Sequence, residues 1–347
     1  LPGRGSSFVI GETKMSALDE YPAKASAEAR AAPAVSIGIP VYNGENYLEE
    51  AITSALRQTA GDLEVLVCDN ASTDRTPEIV RDLAASDPRV TYLRNETNIG
   101  AARNYNRVWD AGRGRYFKWL AHDDRMKPEY LERMVAVLDD RPEVVLCNSR
   151  VDYIDAEGHV FDQYDGILAE ADHVRPSDRF AAIVLKSHSC VDFFGLVRRS
   201  AMENSLLHGT FHGADRAFLA QMALRGGFVH LAEPLVEMRE HPNRYTRQNL
   251  SVQARQTWHD GERGRRFEVP SLILYRKYQE IVAREASLAP EERRRCNTVL
   301  AKWWFTNWNM VRVAVDGFSN VFPGITTVAE NVKVRAFGAA PGHFTKR

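Results

Sequence analysis

From Val35 to Cys147 the chain alternates short apolar runs with amphipathic stretches. Val35-Ser-Ile-Gly-Ile-Pro-Val41 is a β-branched run that closes on the turn-forming Tyr42, Asn43 and Gly44. After Asn46, Leu48, Ile52, Ala55 and Leu56 recur at helical spacing. Leu63 to Cys68 is almost uninterruptedly apolar, as a strand buried on both faces of a parallel sheet requires. It ends in the polar stretch from Asp69 to Asp74, followed by a helix with Pro77 in its first turn and Ile79, Val80 and Leu83 on one side. The rhythm repeats with a strand over Val90 to Leu93, a loop from Asn95 to Gly100 and a helix over Ala101 to Ala111. Arg115 to Ala121 then reads as a strand running straight into His122, Asp123 and Asp124. Pro128 opens a helix carrying Leu131, Met134, Val135 and Leu138, and Val144 to Cys147 is a fifth strand. This alternation predicts an α/β fold with a doubly wound, mostly parallel sheet flanked by helices.

Beyond Asp152 the pattern loosens. A hairpin is expected around Ala156, Glu157 and Gly158, then loop to Pro176. Cys190 to Val197 reads as a strand, Asp215 to Leu224 as a helix stopped by Gly226 and Gly227, and Phe228 to Met238 as one or two strands. Past Arg247 only helical signals remain. Three parts are therefore expected: a flexible leader over 1–34, an α/β domain over 35–247 and a helical C-terminal region over 248–347. The leader is rich in Gly, Ser, Ala and charge and lacks the apolar core of a signal peptide.

In the tail, Leu300, Trp304, Trp308, Val311, Val315 and Phe318 fall on one side of a helix, with Lys302, Thr306, Asn309 and Asp316 on the other. Residues 293–347 hold nine Lys/Arg and two acids, a net charge of +7. Two readings stay open. The helix lies in a membrane interface as a peripheral contact, or it packs on the catalytic domain or on a second copy in a homodimer. Tryptophans at the junction would also suit the lining of an acceptor site.

The whole chain is close to neutral, with 45 Lys+Arg and 46 Asp+Glu over 347 residues, which argues against a generic nucleic-acid binder. Cys68, Cys147, Cys190 and Cys296 stand far apart with no Cys-x-x-Cys pair. A zinc ribbon or disulfide framework is not expected, and a reducing, cytoplasmic setting is. No apolar run reaches the ~18 residues of a membrane span.

In a doubly wound sheet ligands sit beyond the carboxyl ends of the strands. Three polar clusters stand there: Pro40 to Glu45, Asp69 to Asp74, and His122 to Asp124. The first two also suit plain turn chemistry. The third sets two carboxylates side by side after an apolar strand, which is costly without a cation or strong donors. Mg²⁺ and its like use few carboxylates and fill their shell with water and phosphate oxygens, so a metal–diphosphate site fits. An N-terminal cap ahead of Pro128 is the alternative. A dinucleotide-binding dehydrogenase would need a Gly-x-Gly-x-x-Gly cradle after the first strand, where Pro40-Val-Tyr-Asn43 stands instead.

Taken in order, Val35 to Leu48, Val67-Cys-Asp-Asn-Ala-Ser-Thr-Asp74, Asn98-Ile-Gly-Ala-Ala-Arg-Asn104 and His122-Asp-Asp124 resemble the nucleotide-sugar half of a family 2 glycosyltransferase with the GT-A fold. The likeness extends more weakly through Gly213 to Ala217 and Arg239 to Pro242, covering roughly residues 35–245. It implies that Pro40 and Tyr42 line the nucleoside pocket, with Glu45 reaching it less surely, and that Asp69 accepts from the base. Arg103 would contact the diphosphate, Asp123 the ribose, and Asp124 a Mg²⁺ or Mn²⁺ ion. His122 stands where the family has the first Asp of Asp-x-Asp. His241 matches a histidine that some relatives direct to the metal or diphosphate; a surface histidine before Pro242 is the other reading. Arg239, Arg244 and Arg247 crowd the same loop, either closing over the diphosphate or forming a solvated face.

The family's Glu-Asp pair at the start of a late helix corresponds to Ala214 and Asp215, so Asp215 is the expected catalytic base; capping that helix is its structural alternative. The resemblance thus implies a metal-dependent, inverting transferase. It would move a sugar from a UDP- or GDP-sugar donor to a hydroxyl or amine of a glycan, lipid-linked or small-molecule acceptor. The loop from Ser187 to Phe194 is expected on the acceptor side. Ala214 keeps open a second reading, a nucleotide-sugar-binding or scaffold protein with a decayed catalytic centre.

Overall fold

In the computed structural model, which describes residues 31–166, 171–242, 244 and 268–319, the apolar runs become the strands of one sheet. The first half follows the expected rhythm: β1 (Val35–Val41), α1 (Leu48–Leu56), β2 (Leu63–Asp69), α2 (Thr76–Ser86), β3 (Val90–Arg94), α3 (Ala101–Ala111) and β4 (Tyr116–Trp119). Then come β5 (Arg125–Met126), α4 (Tyr130–Asp140), β6 (Val144–Ile154), β7 (Val160–Tyr164), α5 (Pro176–Leu185), β8 (Leu196–Arg198), α6 (Arg199–Met202), α7 (Ala214–Arg225) and β9 (Gly227–Arg239). The helical end comprises α8 (Pro270–Arg284), α9 (Pro290–Trp303) and α10 (Asn309–Ser319). Among the described residues no helix is long and apolar enough to cross a membrane. The expected leader over 1–34 falls mostly outside the described residues, as does Arg247.

Among the described residues the strands lie in the order β3-β2-β1-β4-β8-β6-β9-β5, with β7 against β6. β3, β2, β1 and β4 are parallel, and every residue of β1 and β2 is buried, as two helix-covered faces demand. Pro40 costs no ladder bond to β4, because that pairing ends at Gly38 opposite Trp119. β8 then enters antiparallel to both β4 and β6. The strand expected over Cys190 to Val197 is thus divided: Val191–Phe194 is a 3-10 turn and only Leu196–Arg198 pairs.

The helical end shares its core with the sheet. Tyr278, Ile281, Val282, Cys296, Val299, Leu300 and Trp303 lie in one apolar cluster with Phe117, Phe180 and Phe218. The passage from sheet to helices is a change of secondary structure within a continuous core. The tail is not one amphipathic helix. α9 stops at Trp303, and Asn307 and Trp308 take positive φ values of 49° and 60° before α10 begins. Leu300 faces the core while Trp308, Val311 and Phe318 face solvent, so the expected stripe divides at the elbow.

An asparagine network fixes the loop between β3 and α3. Asn70 Nδ2 donates to Asn98 Oδ1 (2.8 Å), and Asn70 Oδ1 accepts from Ile99 N–H (3.0 Å) and Asn95 Nδ2 (2.9 Å). Asn95 Nδ2 also reaches Asn104 Oδ1 (2.9 Å), and Asn104 Nδ2 closes on the Cys68 carbonyl (2.8 Å). Asn104→Ala would remove the buried bond to the Cys68 carbonyl and the one accepted from Asn95 Nδ2. Urea denaturation is expected to show a loss of about 1–3 kcal/mol.

Candidate active site

The carboxyl ends of β1, β2 and β4 carry the three polar clusters, and reciprocal hydrogen bonds lace the first two together. Asn43 N–H donates to Ser72 Oγ (2.9 Å), Gly44 N–H to Thr76 Oγ1 (2.8 Å) and Glu45 N–H to Asp74 Oδ2 (3.0 Å). In return Thr73 N–H reaches Asn43 Oδ1 (2.9 Å) and Arg75 N–H reaches Glu45 Oε2 (3.1 Å). The Glu45 carboxylate therefore has a structural task at the start of α2. Gly44 joins the third cluster: a Cβ there would stand 2.5 Å from Val41 Cγ2 and 2.8 Å from His122 Cδ2. Tyr42 is left with its ring half in solvent, free to offer a stacking face.

Asp69 is fully enclosed. Its Oδ1 accepts from Ser72 N–H (2.8 Å), and its Oδ2 accepts from Tyr92 Oη (2.8 Å) and from Arg94. Arg94 also donates to the Ser72 carbonyl (2.9 Å). Tyr92 and Arg94 were not among the sequence candidates. The signal was present in the parallel register, which sets Arg94 opposite Asp69. Arg103 stands half-buried in the first turn of α3, whose start at Gly100 has no side-chain cap.

Asp123 and Asp124 are both buried, at 7% and 2% exposure. Asp123 Oδ2 lies 3.0 Å from His241 Nε2. Burial works to raise the Asp123 carboxyl, but the His241 hydrogen bond and the charges of His122 and Arg244 hold it well below the usual range. Asp124 goes the other way. Burial and the neighbouring Asp123 push it up to about 7, against Arg244, Lys118 and the Arg239 N–H that its Oδ1 accepts at 2.9 Å. Lys118 is itself buried and lowered to about 7, and its ammonium bonds the Phe194 carbonyl at the end of the loop from Ser187.

β9 supplies the positive side of this centre, because β5, directly after Asp124, pairs antiparallel with it. Arg239 is neither solvated nor part of a mobile clamp. At 1% exposure it donates to the carbonyls of Asp123 (3.1 Å) and Ala156 (2.9 Å) and to Glu50 Oε2 (2.7 Å), with its guanidinium 4.3 Å above the Tyr47 ring. Arg244 bonds the Arg239 carbonyl and Glu240 Oε1, both at 2.8 Å. Burial lowers its guanidinium, but Asp124 and Asp123 more than offset this and raise it. The surface-histidine reading of His241 likewise fails, since its side chain is 10% exposed and its ring packs 5.2 Å from that of Tyr47.

On the opposite side, α7 begins after Gly213, whose φ of 87° is left-handed. Ala214 is 1% exposed and packs into the aromatic core, so this position does not face the cleft. Asp215, half-buried, accepts from Arg216 N–H through Oδ1 (2.8 Å). Cys190, at φ 58°, sets its thiol 3.5 Å from His188 Nδ1; burial first, then the charge of Asp215, raises the thiol far above its ordinary value. Arg216 in turn holds the carbonyls of Lys186 (3.2 Å) and His188 (2.7 Å), fixing the loop from Ser187.

One group connects the two sides. The buried Tyr105 hydroxyl is raised by burial and then by Asp123, Asp124 and Asp215 together, with Arg244 opposing.

Residues 36–206 match the sequence profile of the family described as Glycosyl transferase family 2. An uncharacterized glycosyltransferase of Rickettsia typhi is 38% identical over 130 residues, 37% of this chain and 39% of that protein. The putative glycosyltransferase EpsH of Bacillus subtilis is 27% identical over 210 residues, 60% of this chain and 56% of EpsH. The chain thus matches between two fifths and somewhat over half of these relatives' lengths. Among solved structures, S. aureus TarS 1-349 in complex with UDP aligns with a TM-score of 0.54 at 17% identity, over 79% of this chain and 72% of that one. The same protein in complex with UDP-GlcNAc gives 0.56 at 17% identity, over 82% and 72%. At that identity the likeness concerns the fold, a mostly parallel sheet with flanking helices of GT-A type. With the profile match, the ordered motifs and this fold, residues 36–206 form a glycosyltransferase family 2 domain.

Proposed function

We propose that the protein is a metal-dependent, inverting glycosyltransferase. It moves a sugar from a UDP- or GDP-sugar to a hydroxyl or amine acceptor on a glycan, a lipid-linked molecule or a small molecule. One observation carries the reading: at the carboxyl end of β4, inside the stretch matched by the family profile, two adjacent carboxylates lie buried, Asp123 against His241 and Asp124 on the Arg239 N–H.

In this reading Tyr42 stacks on the base, the β1 end at Pro40 shapes the pocket, and the Asp69–Arg94–Tyr92 group reads the base edge. Asp123 faces the ribose. Arg103 and the uncapped amides at the start of α3 donate to the diphosphate. Asp215 takes the proton of the acceptor hydroxyl or amine as its oxygen or nitrogen attacks the anomeric carbon. The bond from that carbon to the diphosphate oxygen breaks on the opposite face, and its electron pair leaves with the nucleoside diphosphate. Ala214, buried in the core, takes no part, and its identity gives no support to a decayed centre.

The donor set at Asp124 fits a divalent cation. The carboxyl is buried and raised to about 7, because burial and Asp123 outweigh Arg244, Lys118 and the Arg239 N–H. Among the described residues no group of three His, Cys, Asp or Glu side chains forms a ready cage. That suits Mg²⁺ or Mn²⁺, which would be held by Asp124 and take its other ligands from phosphate and water. His241 is the second candidate ligand, and its Nε2 is engaged with Asp123. When bound, the ion supplies neutralisation of charge on the departing diphosphate.

Two outcomes are expected. Asp215→Asn should lower sugar transfer by about 10²-fold or more, while UDP or GDP still raises the melting temperature as in the wild type. Normal turnover by this variant would remove Asp215 as the base. Separately, Asp124→Ala or EDTA should abolish the Mg²⁺- or Mn²⁺-dependent part of the thermal shift given by UDP or GDP. A shift indifferent to both would remove the metal role.

A further inference from the structure

Asp69 is closed off by its own partners. Its side chain has 0% exposure and both oxygens are engaged: Oδ1 accepts from Ser72 N–H (2.8 Å), and Oδ2 from Tyr92 Oη (2.8 Å) and Arg94 Nη1. What reaches the surface beside it is Arg94, whose side chain is 36% exposed. The guanidinium is held at further points. Nη1 also donates to Tyr92 Oη (3.3 Å), and Nη2 donates to the Ser72 carbonyl (2.9 Å). Among the described residues its Nε–H and one hydrogen of Nη2 have no protein partner.

The loop after β2 ties this guanidinium to the strand end that carries Tyr42. Val41, Asp69 and Arg94 stand in one row across β1, β2 and β3, so β1 ends about 10 Å from the end of β3. Ser72 bridges that span. Its Oγ accepts from the N–H of Asn43, next to Tyr42, at 2.9 Å, and its carbonyl holds Arg94. Ala71, at φ 62°, adopts a left-handed conformation that is costly for a residue with a Cβ. That turn sends the Ser72 N–H back to Asp69 and the Ser72 carbonyl on to Arg94. Backbone strain of this kind persists where the surroundings hold a loop to one geometry.

We propose that Arg94, and not Asp69, reads the base of the donor, and that it selects a keto base, uracil or guanine, against cytosine or adenine. The inference rests on the nucleotide-sugar reading above. For Asp69 to accept from a base N–H, Tyr92 and Arg94 would have to leave a buried carboxylate, which is costly. Arg94 needs no such opening. A base seated over the end of β2, with one face on the Tyr42 ring, turns its edge to the free side of the guanidinium. That group has donors only. Uracil offers O4, and guanine offers O6 and N7, as acceptors. Cytosine and adenine carry an amino group in the place of the keto oxygen, so donor would face donor. Asp69 and Tyr92 are then positioning residues: they fix the plane of the fork and pair its charge.

The test is isothermal titration of the full chain with UDP, GDP, CDP and ADP in Mg²⁺, and with 3-methyl-UDP and 1-methyl-GDP. The methylated pair block the base N–H and keep the keto oxygen. UDP or GDP should bind about tenfold or more tighter than CDP and ADP, and the tighter of the two identifies the base. Methylating that nucleotide should weaken it by less than about fivefold, because no acceptor on the protein is lost. Arg94→Lys keeps a cation beside Asp69 and removes the planar fork, so the preference for keto bases should shrink about tenfold. Equal binding of all four diphosphates, or an unchanged preference in Arg94→Lys, would overturn the proposal. A larger loss on methylation would overturn it in favour of Asp69. The methylated nucleotides need no variant, so they decide the matter even where Arg94→Lys fails to fold. Binding without base preference sinks this assignment alone, whereas no binding of any diphosphate sinks the nucleotide-sugar reading with it.

Discussion

Two adjacent carboxylates lie almost out of water at the end of β4, and the compensation of their charge organises the molecule. Taking an ion out of water costs several kcal/mol even after relaxation, and a second like charge beside it adds to the cost. Compensation comes from more than a hundred residues away, through the Arg239 N–H, His241 and Arg244. The two-residue pairing of β5 with β9 makes this meeting possible, since it starts at the residue after Asp124. Arg239 then extends the link to α1 through Glu50 and to the β6–β7 turn through Ala156. The acidic pair is thus the point where distant segments are joined.

Much of this was legible along the chain, for a physical reason. Strands buried on both faces must be apolar throughout, and helices covering them must show a 3.6-residue period. β1 to β4 and α1 to α3 accordingly follow the pattern closely. What escaped depends on partners. β5 is two residues long and exists because β9 lies beside it; β8 pairs over three residues inside a segment that otherwise turns. Arg239 looked like one of several loop arginines, because nothing local to it tells of the carbonyls at Asp123, Asp155 and Ala156 that surround its guanidinium. Likewise the tail stripe reads as one helix, while the elbow at Asn307 is set by a carbonyl on α5.

The polar clusters show the same division. Their place at the strand ends was readable, but the division of labour within them was not. Of the first cluster, Tyr42 keeps an exposed ring, whereas Asn43, Gly44 and Glu45 bond the loop after β2. The turn-chemistry reading and the ligand reading therefore both apply, to different side chains. A loop that must hold a ligand rigidly needs its own backbone satisfied, so part of each cluster is committed to that end.

The asymmetry within the acidic pair bears on what the site can accept. Asp123 is satisfied by His241 and held ionised, so an arriving cation would have to compete with that hydrogen bond. Among the described residues Asp124 accepts a backbone N–H on one oxygen, and it is pushed towards its neutral form by burial and by Asp123. A cation placed there relieves the repulsion between the two carboxylates and returns Asp124 to the charged form in a single event. A diphosphate arriving alone would instead add negative charge beside two buried carboxylates. Donor and cation are therefore expected to be favoured together, and the order of their affinities follows from this one buried carboxyl rather than from any contact with the sugar.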